Sequence, residues 1–126
     1  MKLKDKSLSQ LKKDYWKLLS ELIRKETPRC EICKKDSTQV HHIIKKSKGN
    51  SVYFYRENLI ALCSHCHFNL HYQWSEREIT NIIIMAKGKD IWDILEMQRN
   101  KIVKFKKYEL IESIEICKKK LKEVEK

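Results

Sequence analysis

Two Cys-x-x-Cys pairs constrain this chain more than any other feature. They are Cys30-Glu31-Ile32-Cys33 and Cys63-Ser64-His65-Cys66, with 29 residues between them. A Cys-x-x-Cys turn sets two thiolates on one side of a tight loop, and two such turns complete a tetrahedron around zinc. Thiolates suit zinc, which has no redox chemistry of its own. Four thiolates fill the coordination sphere and leave no position for water or substrate. Cys30, Cys33, Cys63 and Cys66 are therefore read as one structural zinc site, ahead of redox dithiols or unliganded buried cysteines. The fifth cysteine, Cys117, falls on an apolar helix face and reads as a packed free thiol.

The histidines are the second constraint. All five lie between His41 and His71, a clustering that ordinary core histidines do not explain. His67 and His71 are four apart, so a helix would place them on one face. Such a pair is a common grip on a transition metal. Adding His41 makes a three-histidine site with open coordination positions. His41 and His42 are adjacent on a β-prone stretch and would point to opposite faces of a regular strand. One of them then remains for other work. A neutral imidazole with a pKa near its ordinary value of ~6.5 can take a proton from water, and His42 is the candidate. The plainer alternative makes His67 and His71 surface residues and packs His41 and His42 in a strand. His65, inside the second cysteine turn, reads as a surface or phosphate-contacting residue.

Charge narrows the partner. The 126 residues carry 28 Lys+Arg against 17 Asp+Glu, a net +11. Such a balance favours a polyanion, and nucleic acid first. No apolar run approaches the ~20 residues that span a bilayer, and no signal-peptide stretch follows Met1-Lys2-Leu3-Lys4. The expectation is an intracellular protein, whose cysteines bind metal before they form disulfides.

Periodicity divides the chain into an N-terminal helical arm (1–28), a central metal-binding part (29–74) and a C-terminal helical region (75–126). Leu8 to Lys25 repeats apolar residues at helical spacing and stops before Pro28. Thr38 to Ile44 reads as a strand. Val52-Tyr53-Phe54-Tyr55 is β-prone and reads as its hairpin partner across a long polar loop. Ser64 is placed to cap a short helix carrying His67 and His71. Ser75-x-x-Glu78 reads as a capping box opening a helix through Met85. Further helices are expected at about Asp90–Gln98 and Lys107–Val124.

In order, the motifs are Cys-x-x-Cys, His41-His42-Ile43-Ile44, Asn58-Leu59-Ile60, Leu62-Cys63-x-x-Cys66-His67, and His71. That succession resembles the signature of the HNH endonucleases, over Arg29 to Tyr72. The resemblance implies an α+β, mostly helical chain with a ββα-metal core, held by the cysteine pairs and flanked by terminal helices. It implies that His42 is the general base and that Asn58 fixes the loop and helps orient the base. His41 and His67 would hold the catalytic ion, with His71 joining as the similar spacing in the nuclease colicins suggests. Relatives often have Gly-His in place of His41-His42, and Asn in place of His67. A second resemblance takes in most of the chain. Glu21-Leu22-Ile23-Arg24, Tyr53-Phe54-Tyr55-Arg56-Glu57-Asn58 and the helical tail are similar to the NinG/Rap phage recombination proteins. It implies branched or forked DNA as substrate, a phage origin and the cytoplasm of a bacterial host.

The expected reaction is hydrolysis of a DNA phosphodiester with one divalent ion. Three histidines suit Zn2+, Ni2+, Mn2+ or Co2+, whereas Mg2+ favours oxygen ligands. Lys45, Lys46 and Lys48 could hold the DNA backbone or form an ordinary solvated loop. The competing class is a zinc-containing nucleic-acid-binding module without catalysis. A third is a structural adaptor. The oligomeric state is not fixed by the sequence, and a dimer is compatible with it.

Overall fold

The computed structural model describes residues 2–45, 47 and 49–125. Among these, the chain forms six α-helices and one two-stranded antiparallel sheet. The elements are α1 (Leu8–Glu26), β1 (Gln39–His42), α2 (Asn50–Tyr53), β2 (Leu59–Leu62), α3 (Ser64–Tyr72), α4 (Glu76–Lys87), α5 (Ile91–Arg99) and α6 (Lys107–Glu125).

The two long helices form where apolar residues recur on one stripe. Ser7 caps α1, its Oγ accepting from the Gln10 N–H at 3.1 Å. Leu11, Leu19, Leu22 and Ile23 are buried along α1, and Leu110, Ile114, Cys117 and Leu121 along α6. The stripes face each other: Leu11 packs with Leu110 and Ile114, and Leu22 packs with Cys117 and Leu121. Cys117 is thus a core thiol, as its position on the helical pattern indicates. A Lys25–Glu125 ion pair ties the two helices at one end. The arm and the tail, remote in sequence, are one helical layer.

The hairpin corrects one sequence expectation. The partner of β1 is Leu59–Leu62, in the register His41↔Ile60 and His42↔Leu59, and not Val52–Tyr55. Every residue of β2 is buried. Leu59 and Ala61 face Leu19 and Ile23 of α1, while Ile60 and Leu62 face the cysteines, Ile83, Ile91 and Leu95. A strand covered on both faces shows an unbroken apolar run and no alternation, so its period is not visible in sequence. The β-prone Val52-Tyr53 instead ends α2, after Gly49 turns the chain at φ +144°. Tertiary burial of Val52 overrides local preference there.

Two caps place the short helices. Cys63, rather than Ser64, is the N-cap of α3, its sulfur accepting from the Cys66 N–H at 3.4 Å. Ser75 and Glu78 form the expected capping box at α4. The first cysteine turn is tethered to both neighbours by Glu31. One carboxylate oxygen accepts from the Ala61 N–H at 2.7 Å, and the other pairs with Lys87 of α4 at 2.8 Å. Among the described residues, no helix is long and apolar enough to cross a membrane.

Candidate metal centres and catalytic cleft

The four-cysteine cluster is built by two turns. In the first, the Lys34 N–H donates to the Cys30 carbonyl at 3.0 Å and the Cys30 N–H donates to the Lys35 carbonyl at 2.6 Å. Lys34 adopts φ +69°, the left-handed conformation that closes the turn. The second turn leads from β2 into α3, and the pairing of Glu31 with Ala61 brings the two together. All four sulfurs lie within 4.8 Å of one another, with Cys33 and Cys63 at 3.4 Å. A tetrahedron with Zn–S bonds of ~2.3 Å has edges of ~3.8 Å, so the sulfurs already stand near coordination spacing. Cys30, Cys63 and Cys66 are buried, and Cys33 is exposed. Burial pushes the Cys30 thiol up, but N–H groups of Cys33, Cys63 and Ile32 outweigh it and bring that thiol down to about 7. Burial pushes the Cys66 thiol up. The donor set fits a structural zinc ion.

The second cluster lies on the other side of α3. His67 and His71 stand on one helix face, their Nε2 atoms 3.2 Å apart. His41 comes from β1, its ring centroid 5.5 Å from that of His67 and 5.0 Å from that of His71. One ring nitrogen from each lies within 4.8 Å of the others. Nitrogens bound at ~2.0–2.1 Å in a tetrahedron are separated by ~3.3 Å, close to the His67–His71 spacing. Burial, reinforced by His71 and His67, pulls His41 down to about 4. Burial and His71 lower His67 as well. Neutral imidazoles offer lone pairs, the form a metal requires. Three nitrogens at the surface of a cleft fit a divalent ion with positions left for water or phosphate.

His42 leaves β1 on the opposite side. Its imidazole stacks on the indole of Trp16, with centroids 4.4 Å apart and planes 25° apart. Its Nε2 lies 3.0 Å from the Tyr53 carbonyl oxygen. A carbonyl only accepts, so Nε2 carries the proton in the neutral ring and Nδ1 the lone pair. Asn58, fully buried, holds the end of α2 that supplies this carbonyl. Its Oδ1 accepts from the Ile44 N–H at 2.7 Å, and its Nδ2 donates to the carbonyls of Ile44 and Val52 at 2.9 and 3.1 Å. One side chain therefore joins the end of β1 to α2.

His41, His42 and His71 line one cleft of about 330 Å³, together with Val40, Lys45 and Ser47. Strand alternation separates the two histidines, yet the cleft at the strand end takes in both. A cleft of about 390 Å³ between α1 and α6, lined by Tyr15, Phe54, Arg56 and Cys117 among others, contains neither metal cluster. Size does not mark the chemistry here. Lys45 is exposed at the histidine cleft. Lys46 and Lys48 lie outside the described residues. His65 is exposed on α3 and belongs to neither metal cluster. The residues that sequence reasoning missed are Trp16 and Tyr53, which contact the candidate base from outside its own strand. Trp16 lies within the Leu8 to Lys25 helical stretch, and no local pattern links it to His42.

Residues 30–73 match the family model of the HNH endonucleases. The matched segment holds both metal clusters, His42 and Asn58, and the ββα unit of β1, β2 and α3. The fold is that of a ββα-metal HNH core, with helices added on either side. No curated protein and no solved structure gives a significant match to the chain.

Proposed function

We propose that this chain is a metal-dependent endonuclease that hydrolyses DNA phosphodiester bonds in the His41–His42–His71 cleft. One observation carries this reading. His41 and His71 of the three-histidine cluster line the same cleft as His42, whose Nε2 meets a backbone carbonyl and so leaves the lone pair of the neutral ring on Nδ1. A purely structural zinc module needs neither.

Each residue has a distinct part. His42 Nδ1 takes a proton from the water that attacks phosphorus. The Tyr53 carbonyl holds the tautomer that makes this possible, and Asn58 holds the end of α2 bearing Tyr53. His41, His67 and His71 would hold a divalent ion, which would supply charge stabilisation for phosphodiester hydrolysis. All-nitrogen donors favour Zn2+, Ni2+, Mn2+ or Co2+ over Mg2+. Lys45 contacts the DNA backbone beside the cleft, with Lys46 and Lys48 in the same basic run. The four-cysteine site carries zinc and fixes the hairpin against α3. In this proposal the three-part division is a functional one, with 29–74 bearing the chemistry and the flanking helices supporting it.

The similarity to NinG/Rap proteins supports branched recombination intermediates as the substrate, processed inside a bacterial host cell. The test is a cleavage assay on supercoiled plasmid and on linear, forked and four-way DNA across a divalent-metal series. Metal-dependent cutting is expected, with preference for forked or four-way DNA if the narrower reading holds. Retardation without cutting would replace the enzyme with a binding module.

A further inference from the structure

The residues packed around His42 include one from beyond the family-matched segment. Trp16 belongs to α1, Leu8–Glu26, whereas the match runs over residues 30–73. Its indole face lies against the His42 imidazole at 4.4 Å and 25°. The Tyr53 ring stands edge-on to both, at 6.4 Å from Trp16 and 5.5 Å from His42, each close to perpendicular. Trp16 is itself partly buried and packs against the core cluster of Leu19, Ile23, Leu59 and Ala61.

A hydrogen bond and a stacked face constrain different motions. The Nε2–H···O bond to Tyr53 acts on one edge of the ring and does not by itself oppose rotation about that axis. The χ2 torsion of histidine is broad and does not resist such rotation. A flat indole in stacking contact does resist it, and a face anchored in a packed core does so best. The two contacts act together on the plane of His42 and hence on the direction of its Nδ1 lone pair. Proton removal from water needs that direction to be right before the substrate arrives.

We infer that Trp16 is a positioning residue for His42, so that the N-terminal helix completes the active site of which residues 30–73 form the rest. This rests on the nuclease reading above. Trp16 acts through the His42 ring it stacks on.

The test uses the full-length, zinc-replete chain with Trp16→Leu and Trp16→Phe. Single-turnover cleavage, DNA affinity, zinc content and thermal midpoint are measured for each. Trp16→Leu should slow cleavage by on the order of 10- to 100-fold, the scale of a misaligned catalytic group, with DNA affinity unchanged. Trp16→Phe restores an aromatic face and should recover most of the rate. Leu cutting at the wild-type rate overturns the inference. So does a rate that follows thermal midpoint alone, with Phe no better than Leu at equal destabilisation. A second readout is independent of activity. In the wild type the His42 ring protons should be shifted upfield by the indole ring current, and Trp16→Leu should abolish that shift. If the wild type cuts no DNA under any metal, the nuclease reading fails, and with it the role of Trp16. Cleavage without the ring-current shift instead removes Trp16 and leaves the nuclease intact. Should Trp16→Leu not fold, the Phe variant and the wild-type shift still decide.

Discussion

Cys66 and His67 are neighbours on one helix, yet they belong to different metal clusters with opposite surroundings. An α-helix turns about 100° per residue, so adjacent side chains leave α3 in different directions. Cys66, 3% exposed, turns into the core formed with Cys30, Ile60 and Leu62. His67 turns toward His41 and His71, where the last of the three is exposed. The cysteine cluster is closed by four thiolates and tied to β2 and α4 through Glu31. The histidine cluster has three nitrogens and borders a cleft. Ligand count and burial together separate a site that holds the fold from one that can receive a substrate. Helix α3 belongs to both, so zinc bound by the cysteines would also fix the helix that carries His67 and His71.

The sharpest way to break the contrast is at the cysteines. Cys63→Ser removes a thiolate but leaves a hydroxyl able to cap α3, so its effect reports the metal site. Zinc binding and folding are coupled in such sites, so the hairpin should unfold and cleavage should vanish. Metal analysis and circular dichroism check this, with about one tightly held zinc per wild-type chain expected. A folded, zinc-free and active variant would show that the cysteines are not the structural half of the pair.

His42→Ala tests the cleft without touching either cluster. Cleavage should fall by ~10²-fold or more, the usual scale for loss of a general base. Zinc content and DNA retardation should stay as in the wild type. Wild-type cutting would remove His42 from its assigned role.

His67→Ala sharpens the difference between the clusters. It removes one of three nitrogens at the open site and should weaken the catalytic ion by ~10- to 100-fold, with partial recovery in excess metal. The zinc of the cysteine site should remain. Titrating cleavage against metal concentration separates this from His42→Ala, which excess metal should not rescue.

Glu31→Ala should give the smallest change and on the opposite side. It leaves the Ala61 N–H without its acceptor and breaks the pair with Lys87, for a loss on the order of 2 kcal/mol. Urea unfolding should register it. Cleavage at saturating metal should not, because Glu31 touches the cysteine turn and not the histidines.

The ligand sets were readable from sequence because they are written in covalent spacing. A Cys-x-x-Cys turn and a His-x-x-x-His helix pair bring their atoms together within one turn of backbone, whatever surrounds them. The long helices were readable for a similar reason, since α1 and α6 each bury one regular stripe. The capping box at Ser75 and Glu78 is local too. Where several elements share the outcome, local reading failed. Leu59–Leu62 shows no strand period because two different layers cover it. Val52-Tyr53 has strand preference but joins a helix because Val52 is buried beneath the loop.

The chain by itself therefore determined which donor atoms exist, how they pair and what metals suit them. It determined a basic, mostly helical α+β protein. Tertiary structure alone decided that β1 pairs with β2, that His41, His42 and His71 share a cleft, and that Asn58 bonds to both Ile44 and Val52. It also decided that the Tyr53 carbonyl sets the tautomer of His42 and that Trp16 stacks on its ring. Such contacts join residues far apart in sequence and exist only when burial of α1, β2 and the Asn58 loop is satisfied together. Spacing carries chemistry that one turn of backbone can assemble, and packing carries the rest.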